Sequence, residues 1–133
     1  MRTLEEIKSE LDLIDDSLQS IASIVNKTGP YISYDISTWN AIVPTTAGRI
    51  NTLQQDIIDA ANSVAGYIKN VAAELYIGRR SQPNAKHESS RSTEIIQALS
   101  IYADAVDAQA DRLNDYQTRF IERAKRQGAE TIE

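Results

Sequence analysis

The chain has 133 residues, no cysteine, a single histidine, and 19 Asp and Glu against 14 Lys and Arg, a formal net charge of −5. These numbers exclude disulfide staples, thiolate metal centres, cysteine nucleophiles and any two-histidine mechanism. The acidic surplus argues against a dedicated DNA-binding face, which needs a basic field.

The first predicted helix spans about residues 3–27. Thr3-Leu4-Glu5-Glu6 matches a capping box, with Thr3 as N-cap and Glu6 reaching back to its backbone. Leu4, Ile7, Leu11, Ile14, Leu18, Ile21 and Val25 then alternate spacings of three and four without a break, a coiled-coil-like seam. Gly29 and Pro30 stop it.

Residues 28–45 are predicted to be an aromatic connector, in which Tyr31, Tyr34, Trp39, Ile42 and Val43 are too apolar for a loop in water. Asp35 is placed to cap a short turn that Pro44 ends. Trp39 suits two roles: a plug closing one end of a bundle, or, with Tyr31 and Tyr34, an exposed patch for a partner.

The second helix is predicted over residues 46–76. Its apolar line runs through Ile50, Leu53, Ile57, Val64, Ile68, Val71 and Leu75. Ile58, Ala61, Ala65 and Ala72 widen that stripe, as expected of a helix touched from two sides. Residues 77–91 are expected to be a basic surface loop, with Arg79, Arg80, Lys86, His87 and Arg91 around Pro83.

A third helix is predicted from Ser92 to about Arg126, followed by a tail at residues 127–133. Its apolar line is Ile95, Leu99, Tyr102, Val106, Ala110, Leu113, Tyr116 and Phe120. In an antiparallel hairpin, facing residue numbers add to a constant. A constant of about 170 pairs Val64 with Val106 and Ile57 with Leu113, with small residues (Ala60, Ala61, Ala65, Gly66, Ala103, Ala110) at mid-length.

The expected fold is therefore all-α and a single domain: three long helices, an antiparallel hairpin of the second and third, and the first packed on it, in cis or across an oligomer. The strict seam of the first helix favours a homo-oligomer, most simply a dimer.

Asp104, Asp107, Asp111 and Asp115 form an acidic row on the third helix, predicted to be a solvated face because no helical histidine accompanies it. Neither metal nor cofactor is expected. The basic loop could hold a phosphate-bearing ligand or a nucleic-acid backbone beside a helix start.

Arg80 and His87, with six residues between them, resemble the Arg…His pair of HEPN-type ribonucleases, helical and often dimeric. The resemblance implies an arginine on the scissile phosphate and a histidine moving the proton. Trp39-Asn40-Ala41 between two helices resembles the Trp-x-Gly turn of WXG-type secretion substrates, with Ala41 replacing the glycine.

The N-terminal stretch MRTLEEIKSELDL is acidic and amphipathic, unlike a secretory signal, and no apolar run reaches the ~18 residues of a membrane span. The functional expectation is a soluble, cytoplasmic helical protein that binds another macromolecule, as an adaptor, inhibitor or phage-type accessory factor, without catalysis of its own.

Overall fold

A computed structural model describes residues 2–26, 32–76 and 82–132; within the helices, the side chains at 32–34, 68, 71–76, 82–90 and 127–132 lie outside the described set. Its elements are α1 (Leu4–Val25), α2 (Ile32–Tyr76) and α3 (Gln82–Ile132), each packed on the other two, with no strand among the described residues. The all-α bundle expected from periodicity is what forms.

α1 starts as its capping box dictates. The Glu6 backbone N–H donates to Thr3 Oγ1 at 3.1 Å, and the Thr3 N–H donates to Glu6 Oε1 at 3.4 Å. Two donors that a helix N-terminus leaves orphaned are thereby satisfied. Asn26 caps the other end.

The seam of α1 packs in cis. Ile7, Leu11, Ile14, Leu18, Ile21 and Val25 are buried and Leu4 is half-buried, all against the chain's own core. An oligomeric partner was expected because a rod-like hairpin buries little surface per residue and the strict seam needs a long apolar partner. With 45 residues in α2 and 51 in α3, the hairpin itself supplies the long apolar surface.

Polar bridges fix the directions. Gln109 Nε2 donates to the Leu11 carbonyl and to Asp15 Oδ1, both at 2.9 Å, and Arg123 Nη1 donates to the Ile24 carbonyl at 2.9 Å. Equal offsets along both chains make α1 and α3 parallel. Arg2–Asp56 (3.1 Å) and Arg49–Glu10 (3.8 Å) run the other way, so α2 is antiparallel to α1.

Several expectations are corrected. The connector at 28–45 is helical from Ile32 onward, and Pro44 lies inside α2. An interior proline removes a helical hydrogen bond and crowds the preceding turn, at about 3 kcal/mol. Burial outweighs it here: Val43 and Trp39 are in the core, Trp39 stacks on Phe120 with ring centroids 4.1 Å apart, and Asp35 is buried in an ion pair. Just past the proline, Thr46 Oγ1 donates to the Ile42 carbonyl at 3.0 Å.

The basic loop is also shorter than expected, because α3 begins at Gln82 and not at Ser92. Pro83, taken as a breaker, occupies the first turn, where its fixed φ and missing N–H suit a helix start. Ser92 is buried within the helix and does not cap it. At the other end, α3 continues through Gly128 to Ile132, where a tail was expected.

The hairpin register follows from that boundary. Arg123–Asp35, Trp39–Phe120 and Gln54–Asp107 are pairs whose numbers add to about 160, not 170. The constant is twice the midpoint of the connection, so extending α3 backward lowers it. The slip of about ten to eleven residues is close to three helical turns, which preserves the apolar match and hides the error. Val64, expected opposite Val106, is only half-buried, while Val106 lies in the core. The expected pairs through Ile68, Val71 and Leu75 lie outside the described side chains.

Candidate functional site

α1 fills one of the two grooves of the α2–α3 hairpin, and the opposite groove is open. A cavity of about 340 Å³ sits in it, lined chiefly by Asn51, Gln54, Ile58, Ala103 and Asp107. Gln54 Nε2 donates to Asp107 Oδ1 at 3.0 Å and ties the two walls together.

Helical spacing extends this groove. Ile36, Ala47, Gln54 and Ile58 fall on one line of α2, and Ala103, Asp107, Ala110 and Ile121 on the facing line of α3. Ile36, Ile58 and Ile121 remain 37%, 52% and 53% exposed, in a chain whose seam and apolar lines are otherwise largely covered. Among the described residues, the other exposed large apolar side chains, Leu13, Tyr67 and Ile101, lie on other lines.

The two rims differ in charge. Asp104, Asp111 and Asp115 are exposed one step outward from Asp107 on α3. Arg119 Nη2 pairs with Asp115 at 3.0 Å, and Arg112 turns away to Asp15 on α1 at 3.1 Å. The α2 rim carries Ser37, Pro44, Gly48, Gln55 and Asn62, all exposed and uncharged. Among the described residues no group of carboxylates or imidazoles converges to hold a metal ion.

Of the aromatic patch, Trp39 is the member whose side chain is described. Trp39 is buried against Phe120, so it serves as the plug and not as a surface contact. Tyr31 and the side chain of Tyr34 lie outside the described residues. Beneath the plug, Arg123 Nη2 meets Asp35 Oδ2 at 2.6 Å while its Nη1 holds the end of α1, so one guanidinium joins all three helices.

Of the basic cluster, Arg79 and Arg80 lie outside the described residues, as do the side chains of Lys86 and His87. Positions 86 and 91 stand about 140° apart around α3. Arg91 is exposed and lines a cavity of about 630 Å³ together with Glu5 and Glu94.

Sequence reasoning missed the groove, although its signal was present. Ile58, Ala61 and Ala65 widened the α2 stripe; Ile58 and Ala65 are exposed, with Ile58 lining the groove itself. Asp35 and Arg123 gave no signal, because a buried ion pair is a long-range meeting of two ordinary surface residue types. Compared with protein-family models, with curated proteins and with solved structures, the chain has no significant match.

Proposed function

We propose that this protein is a binding module for another protein, without catalysis of its own, and that the open α2–α3 groove is the contact surface. The observation that supports this is the exposure of Ile36, Ile58 and Ile121 along that groove. Aliphatic side chains aligned on an open face between polar rims mark association surfaces. Self-association loses its original motive, since the α1 seam is covered within the chain.

The phosphate-binding alternative has less support: Arg91 shares its cavity with Glu5 and Glu94, which repel an anion. A reducing, cytoplasmic setting suits a chain with no cysteine.

The test is affinity capture of the tagged protein from its source cells, comparing wild type, the pair Ile58→Glu with Ile121→Glu, and the pair Arg79→Ala with Arg80→Ala. A stoichiometric protein partner lost only with the isoleucine pair is the expected result. Loss only with the arginine pair moves the function to the basic segment, and a partner indifferent to both overturns the groove.

A further inference from the structure

We infer that the groove's occupant is a basic amphipathic helix of the partner protein, lying lengthwise between α2 and α3 as a fourth helix. This deepens the docking proposal and rests on it.

Length comes first. Ile36 and Ile58 are separated along α2 by 22 residues, roughly 33 Å of helix axis. A partner helix of about six turns spans that distance, and a single loop or side chain does not. The ends of the groove carry the large aliphatics, with Ile36 and Ile121 at one end and Ile58 at the other. Ala47 and Ala110 lie between them and keep the floor shallow, so a helix backbone can approach.

Charge then selects the chemistry. The α3 rim presents Asp104, Asp107 and Asp111, with Asp115 already answered by Arg119. Arg49 and Asp56 of α2 pair with α1, and Asp59, beside the rim, accepts a hydrogen bond from Gln55 at 2.9 Å, so the rim residues themselves are uncharged. A complementary helix therefore carries an apolar stripe flanked by Lys or Arg on the side over α3 and by uncharged residues on the other. This arrangement is the helix-in-groove mode with one-sided electrostatic registration.

The same charges disfavour other occupants. A second copy docked by two-fold symmetry sets this patch against itself and offers the acidic row only another acidic row or an uncharged rim, never a basic flank. Nucleic acid and anionic membranes meet a carboxylate rim and are repelled.

The test uses the full chain and three labelled helical peptides of about 22 residues. One is a leucine-lysine amphipath with lysines on one flank, one is its scramble, and one has glutamate for lysine. Fluorescence anisotropy across a salt series measures binding, and amide shifts locate it. The amphipathic basic peptide is expected to bind at least about tenfold more tightly than either control, with shifts at Ile58, Ala103 and Ile121. Asp104→Asn, Asp107→Asn and Asp111→Asn together should flatten the salt dependence. Ile58→Glu should abolish binding.

All four substitutions are at exposed positions, so circular dichroism should stay unchanged. Should Ile58→Glu disturb folding, the Asn variant and the shift map decide alone. Equal binding of the scramble, or shifts outside the groove, overturns the proposal. So does a wild-type dimer by light scattering that Ile58→Glu dissociates. If a captured cellular partner depends on Ile58 while the basic peptide fails to bind, the docking groove survives and the basic helix falls. If neither depends on Ile58, both fall.

Discussion

At the scale of single residues, the strongest polar commitment in the core is Arg123. Its guanidinium meets Asp35 on α2 and the carbonyl of Ile24 at the end of α1, and both charged side chains are almost fully buried. Such a pair contributes little net stability over an apolar replacement, but removing one partner strands the other charge. Arg123→Met is therefore expected to lower unfolding free energy by about 3–5 kcal/mol in urea titration, and Arg123→Lys should not rescue it, because one ammonium cannot reach both acceptors with a planar fork. A loss under about 1 kcal/mol would show that water reaches Asp35. The glycines make the opposite case. A Cβ added at Gly48 or Gly66 meets nothing within 4 Å, so the close helix approach expected at Gly66 does not occur there. Gly66→Ala should raise stability by about 0.5–1 kcal/mol, read from the thermal midpoint, and a fall would mean a neighbour covers that site.

At the scale of elements, what was legible in the sequence depended on whether the signal was local. The start and seam of α1 were legible, because a capping box and an unbroken heptad are written in consecutive residues, whereas its end falls at Val25 with Asn26 as cap, short of the expected stop at Gly29. The starts of α2 and α3 were not: α2 begins on the far side of Pro44, whose cost is set against contacts distant in sequence, and α3 begins around Pro83, which suits a first turn as well as it suits a break. Trp39 on Phe120 and Asp35 on Arg123 hold Ile32–Pro44 helical across gaps of over 80 residues. Pro44 itself is exposed and contributes no burial. Pro44→Ala is thus expected to stabilise the protein by about 1–3 kcal/mol, by restoring a helical hydrogen bond, with a higher midpoint in circular dichroism melting. A lower midpoint would mean that α2 needs a kink at this position, and the segment before it would have to be treated as a separate plug.

At the scale of the whole molecule, the register of the hairpin decides which residues face the open groove. Apolar periodicity alone cannot choose it, because a helical face nearly repeats after about eleven residues, three turns. The choice is made by unlike pairs that fit only one way: an amide on a carboxylate, a guanidinium on a carboxylate, an indole on a phenyl ring. The groove inherits this result, since it joins Gln54 and Ile58 to Ala103 and Asp107. With no native cysteine to interfere, paired cysteines can measure the register directly. Gln54→Cys with Asp107→Cys should be bridged rapidly within one chain by a short bismaleimide, with a shifted gel mobility. Val64→Cys with Val106→Cys, the pair that a constant of 170 would set face to face, should not be bridged, because the two positions lie roughly 15 Å apart along the axis in the observed register. Crosslinking of the second pair and not the first would move α3 by about three turns, separate Ile121 from Ile36, and dissolve the groove as a continuous surface.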